Sequence, residues 1–217
     1  ANVALGRGPA ATRTMEEMEV LAGSHQLGSF LYITEAGTAA HVGDADRAVR
    51  NADLALDDAK ERGGFLHEAF IARALGLVQA GEAGDAWIAI DQAATLGFMG
   101  PYLTSVKALV EVAVGNYEVA LGDAAFTADQ PGASYLDLVY AHVAAAFAHA
   151  RLGSPVAAVA ALDAAAGVAG RTGDVVAKAL VALARSFIDG EQRSGDGPEL
   201  DVPLRGWRRL FGDILGQ

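Results

Sequence analysis

The sequence predicts an all-α protein built as an array of antiparallel helical hairpins, and three observations carry that expectation. Apolar residues recur at spacings of three and four along most of the chain, the pattern of a helix with one face turned to a core. Of the 217 residues 52% are apolar but only 7% aromatic, so the interior must come from close approach of Ala-rich helices as well as from large side chains. A short phrase also recurs, as GDADRAV at 43, GDAWIAI at 84, GNYEVAL at 115 and GSPVAAV at 153. Each copy puts a helix-ending glycine before a capping residue and a helix-forming run.

In chain order, helices are expected near 14–22 and 29–41, and then at 44–62, where Asp44 can cap. Ala48, Ala52, Ala55, Leu56 and Ala59 form the apolar face of that third segment, Asp46 with Arg50 and Asp58 with Arg62 stand four apart, and Gly63-Gly64 ends it. Further helices follow near 65–80, 85–96, 101–113 and 117–128. The next begins at Ser134, three residues before Asp137 in the manner of a capping box, and carries the stripe Leu136, Val139, Tyr140, Val143 and Phe147 up to Gly153. Ser154-Pro155 opens a helix over 155–169, with Pro in the first turn where its missing N–H costs nothing, and another covers 174–188. No segment reads as a strand.

The phrases are separated by 41, 31 and 38 residues, in the range of helical-hairpin repeats. Thirteen or fourteen residues before each phrase glycine stands an aromatic, Phe30, Phe70, Tyr102 or Tyr140, and five after it a small residue, Ala48, Ala89, Ala120 or Ala158. One unit is therefore a first helix with the aromatic, a glycine turn, and a second helix whose alanine lies at the crossing. The organisation expected is an N-terminal segment and remnant helix at 1–28, repeats at 29–189, a linker at 190–203 through EQRSGDGPELDVP, and an amphipathic terminal helix at 204–217.

GNYEVAL, with its Gly-Asn-Tyr turn and Glu-x-Ala opening the second helix, resembles a tetratricopeptide repeat; GSPVAAV, GDAWIAI and Leu75-Gly76 add to the likeness over roughly 29–173. The resemblance implies a right-handed superhelical solenoid, here with a C-terminal capping helix. Residues 14–82 are similar to the helical-repeat region near the C-terminus of large bacterial ATPase-containing transcriptional regulators and adenylate or guanylate cyclases. That likeness implies a non-catalytic region that binds a partner or inducer, or restrains an ATPase module. The chain opens on Ala1 rather than Met, which fits a piece of a longer protein.

Composition excludes several function classes. Sixteen Lys and Arg against 27 Asp and Glu give a net charge of −11, which repels phosphate backbones, so nucleic acid is not an expected partner. There is no cysteine, hence no disulfide or thiolate metal site, and a cytoplasmic location is expected. No signal peptide or membrane-spanning run is read. His142 and His149 are seven apart, whereas a helical zinc pair uses four; with His25, His41 and His67 they read as surface or hydrogen-bonded histidines. Asp57 and Asp58 are adjacent and so point about 100° apart around a helix. The glycines of GRG and of the stretch near 195 read as loops, lacking the lysine of a phosphate-binding loop. No catalytic, cofactor or metal residues are assigned.

The remaining candidates are for binding. Phe30, Phe70, Arg73, Tyr102, Lys107 and Tyr140 all fall on first helices of hairpins, where they can line a concave groove for a protein, a peptide or another domain of the same chain; the aromatics can equally wedge neighbouring hairpins. In the terminal helix, Trp207 and Phe211 can cover the last hairpin's apolar face, or serve a partner or self-association. The expected function is an interaction or sensor region of a larger bacterial regulator. The alternatives are a small-ligand receptor with a pocket between helices, and a dimerisation module for attached catalytic domains, acting as a homodimer.

Overall fold

A computed structural model of the chain describes residues 13–14, 16–18, 20, 28–97, 99–190 and 204–216. Most of the expected 1–28 segment, with His25, and the linker beyond Gly190 lie outside the described residues. Ten helices are labelled in order: α1 (Gly28–Val42), α2 (Ala45–Arg62), α3 (Leu66–Gln79), α4 (Ala83–Thr95), α5 (Pro101–Ala113), α6 (Tyr117–Ala128), α7 (Tyr135–Arg151), α8 (Pro155–Thr172), α9 (Val175–Ile188) and α10 (Arg205–Leu215). Residues 13–14, 16–18 and 20 are helical too, and there is no strand among the described residues. No helix among them is long and apolar enough to cross a membrane.

Each helix from α1 to α10 packs on the next, and the odd-numbered helices α1, α3, α5, α7 and α9 pack on one another in succession. α9 also meets α1, so the first and last of the odd series are in contact. α7 sits deepest: Val139, Tyr140, Ala141, Val143, Ala144, Ala146, Phe147 and Ala148 are all buried, which is why its sequence is apolar almost all round.

The turns that reverse the chain after α1, α3, α5 and α7 are alike. Gly43, Gly81, Gly115 and Gly153 have φ of 79°, 80°, 89° and 72°, a left-handed conformation open to glycine at no steric cost. Behind each, the next N–H reaches back to a carbonyl of the last helical turn: Asp44 to Ala39, Glu82 to Leu77, Asn116 to Glu111, Ser154 to His149, at 2.8–2.9 Å. This bond is the helix-terminating closure that satisfies otherwise orphaned carbonyls.

The second turn corrects the expected register. Gly84 lies inside the first turn of α4, and the left-handed residue is Gly81. A glycine three residues too late would lengthen α3 past the point where the chain must reverse. In the corrected register Ala86, fully buried, takes the place expected of Ala89, and Glu68 rather than Phe70 stands thirteen residues before the turn. Ala48, Ala120 and Ala158 are fully buried at the other crossings.

The caps follow the sequence in part. Ser134 and Asp137 form a reciprocal capping box, and the Asp44 carboxylate accepts from Arg47 N–H. The Asn116 side chain does not cap α6; its Nδ2 donates to buried Glu111 Oε2 at 2.7 Å. The reason is energetic: a buried carboxylate needs a donor more than an exposed helix end needs a second acceptor.

Ala120→Leu is expected to destabilise the protein by roughly 1–3 kcal/mol, because the crossing has no room for added methylenes. Gly76→Ala should act in the same direction, since its Cβ would meet Val49 Cγ2 at 2.9 Å and Ala48 Cβ and Val49 N at 3.0 Å. Urea unfolding of both variants measures this; a leucine tolerated at 120 would sink the alignment of the crossings.

Candidate functional site

The strongest amphipathic segment is the terminal one. Leu204, Trp207, Leu210, Phe211 and Ile214 are all buried, whereas Arg205, Arg208 and Arg209 are exposed. α10 packs on α3, α5 and α9, and its rings reach α7: Phe211 stacks on Phe147 at 4.5 Å between centroids, and Trp207 lies 5.3 Å from Tyr140. Phe187 of α9 meets Phe211 edge-on at 5.9 Å. Trp207 and Phe211 are 0% exposed. The helix thus lies across several odd-numbered helices and is not confined to the face of the last hairpin.

The end of α1 fixes its position. Gly206 N–H donates to Gly43 O at 2.8 Å and Trp207 Nε1 to His41 O at 3.1 Å, while Gln79 Nε2 donates to Ala40 O at 2.9 Å. Three carbonyls at the α1 terminus are therefore satisfied from outside that helix. A Cβ on Gly206 would come within 3.0 Å of Gly43 O and within 2.9 Å of Gln79 Cβ, so the close approach requires glycine there.

His41 faces two ways. Its carbonyl takes the indole N–H of Trp207, and its ring joins a buried polar cluster across α1, α7 and α9. Nε2 lies 3.1 Å from Asp174 Oδ2, and Nδ1 lies 3.2 Å from the Tyr140 hydroxyl. With Asp174 ionised, Nε2–H donates to the carboxylate and, in the neutral ring, Nδ1 accepts from Tyr140. Tyr135 OH donates to the same Oδ2 at 2.8 Å. Asp174 Oδ1 accepts Val176 N–H and Ala177 N–H at 2.8 and 2.9 Å, capping α9.

Burial alone would raise the Asp174 carboxyl, but the His41 ring, the Ala177 N–H and the Tyr135 hydroxyl outweigh it and hold it at about 2. Burial, helped by Asp174, pushes Tyr135 up to about 12, and burial with neighbouring carboxylates raises Tyr102 and Tyr140 further. All three phenols are protonated at neutral pH and available as donors.

Beside this cluster a pocket of about 400 Å³ opens between α1 and the first turns of α5 and α7. Thr34, Gly37, Thr38 and His41 of α1 form one wall, Tyr102 of α5 and Ser134 to Tyr140 of α7 the other, with Leu75 of α3 between them. A second cleft of about 300 Å³ lies between Asp44 and Asp46 and the exposed arginines Arg205 and Arg209. Among the described residues no three His, Asp or Glu side chains converge to hold a metal ion.

Of the residues expected from sequence to line a groove, the structure brings Tyr102 and Tyr140 into the pocket. Phe30 is exposed, 6.1 Å from Phe65, and Phe70 packs beside Ala55, Leu56 and Ala69. Arg73 is held by Asp53 of α2 at 2.7 Å and Lys107 by Asp123 of α6 at 3.0 Å, so both cations are spent on even-numbered helices. The sequence reading did not single out Tyr135 or Asp174, and set His41 aside. The one signal available was Asp174 at the start of an expected helix.

Compared with protein-family models, with curated proteins and with solved structures, the chain matches none.

The folded carboxyl of Asp174 lies below its ordinary value of 3.8, so its contribution is present above about pH 4 and is lost as pH falls toward 2. The shift corresponds to about 2 kcal/mol. Asp174→Asn should therefore lower stability at neutral pH and flatten its acid dependence between about pH 5 and pH 2, read by urea unfolding across that range. Parallel curves for variant and wild type would show that the cluster adds nothing.

Proposed function

We propose that this chain is a non-catalytic regulatory binding region, a tetratricopeptide-like right-handed hairpin solenoid whose concave surface takes an amphipathic helix. The resident occupant is its own α10. The observation that carries this reading is the complete burial of Trp207 and Phe211 against successive odd-numbered helices by a segment with a polar, arginine-bearing outer face. Helix-in-groove recognition uses the same layout, anchors at spacings of three and four laid into an apolar channel. The recurrent left-handed turns and the succession of odd-numbered contacts support the solenoid.

The setting that fits is a larger cytoplasmic bacterial signalling or transcription regulator, in which a partner helix, or a helix from another domain, competes with α10. Docking of α10 is favoured by the burial of five apolar side chains and opposed by the conformational entropy lost on ordering the helix. That opposition makes the seat one that a competing helix can contest.

A protease site placed within 191–203 of the full chain tests the reading. After cleavage, the terminal fragment should stay bound in gel filtration and exchange with an added peptide of residues 204–217, but not with the same peptide carrying Trp207→Ala. Removing the indole from a fully buried site costs roughly 3–5 kcal/mol. Exchange only under denaturing conditions would make α10 a permanent core element and overturn the proposal.

A further inference from the structure

The pocket beside His41 has a chemistry of its own, and it holds whether or not α10 exchanges. Its volume of about 400 Å³ is within the range of small-molecule sites. Three tyrosines, Tyr102, Tyr135 and Tyr140, line it together with Asp137, and neither Lys nor Arg is among its lining residues. The basic side chain in the lining, His41, is already engaged by Asp174 and Tyr140.

An anion is disfavoured. The start of α7 would be an anion site if its N–H groups were free, but Asp137 N–H donates to Ser134 Oγ at 3.2 Å and Ser134 N–H to Asp137 Oδ2 at 2.8 Å. The N–H of the third helical residue is thus served from within, and the Asp137 carboxylate that completes the capping box adds a negative charge to the pocket wall. The same field is felt by the phenols: after burial, Asp137 is among the groups that raise both Tyr102 and Tyr140. The Tyr102 side chain stands in the pocket lining with Asp137 and the other two tyrosines.

We propose that this pocket binds a small organic ammonium ion, with its charge against Asp137 and the rings of Tyr102, Tyr135 and Tyr140 and its apolar body on Ile33, Leu75 and Leu136. Aromatic rings attract a cation through their quadrupole, most strongly where water is excluded, and a nearby carboxylate adds Coulomb attraction. A half-buried setting with apolar floor and acidic, aromatic walls selects an amine over a neutral alcohol or an acid.

Gly37 supplies the decisive variant. It is a helical glycine in the pocket wall, and a Cβ built there meets nothing within 4 Å, so a larger side chain extends into the pocket without displacing packed neighbours. Choline and butyltrimethylammonium are titrated into the whole chain by calorimetry and by ligand-observed NMR, beside 3,3-dimethylbutan-1-ol, the neutral carbon isostere of choline. Saturable binding of at least one ammonium is expected, at least tenfold tighter than the alcohol and surviving about 0.5 M NaCl, which screens the diffuse attraction of a chain with net charge −11. Gly37→Leu, with an unchanged melting temperature, and Tyr102→Leu should each weaken it at least tenfold. Absence of ammonium binding, equal binding of the alcohol, loss in salt, or binding indifferent to both variants would overturn the proposal; should Gly37→Leu fail to fold, Tyr102→Leu decides it.

Discussion

The structure depends on how the C-terminal end of α1 is closed. That end meets α9, at the far end of the odd-numbered series, and its buried carbonyls take donors from outside the hairpin as well as from their own turn, where Gly43 N–H reaches Ala40 O at 3.0 Å. Gln79, Trp207 and Gly206 provide the donors, one from α3 and two from α10. An unsatisfied buried carbonyl costs about 1–3 kcal/mol, so these bonds matter less for what they add than for what their loss would expose. They also fix the rotation of α10, which puts Trp207 on Tyr140 and Phe211 on Phe147.

Leu204 shows how tightly the entry of α10 is held. It adopts a left-handed φ of 41°, uncommon for a branched side chain, while being 5% exposed. Its backbone passes so close to Gly43 that a Cβ there would lie 2.9 Å from the Leu204 carbonyl carbon. Gly43 therefore meets two demands at once, the left-handed turn after α1 and the passage of the terminal segment.

Local grammar made the helices legible, because caps, glycine stops and three-four spacing are set within a few residues. The amphipathic character of α10 was legible for the same reason, and both residues expected to make its contacts, Trp207 and Phe211, are buried. The misreading at Gly84 came from GD mimicking a stop and cap, when only the geometry of reversal distinguishes Gly81. The cations at 73 and 107 looked free because their partners, Asp53 and Asp123, belong to helices 20 and 16 residues away whose facing side is set by packing. The polar cluster was further out of reach. His41 meets Tyr140 and Asp174 across 99 and 133 residues, and no local pattern joins a helix C-terminus to an N-cap at that separation.

The position of His41 bears on how groove and pocket relate. Its carbonyl belongs to the α10 seat and its ring to the pocket wall, so the two sites share one rigid residue at the end of one helix. A shared residue transmits free energy only if one of its neighbours has two arrangements, and on the function proposed above that element is α10. Undocking would remove the donor to His41 O and uncover Tyr140 beside Trp207. Any ligand that orders Tyr140 in its docked position favours the docked state, and by reciprocity docked α10 favours that ligand by the same factor. The sign of such coupling follows from the Tyr140–Trp207 contact: a ligand that holds Tyr140 in place strengthens the hold on the terminal helix.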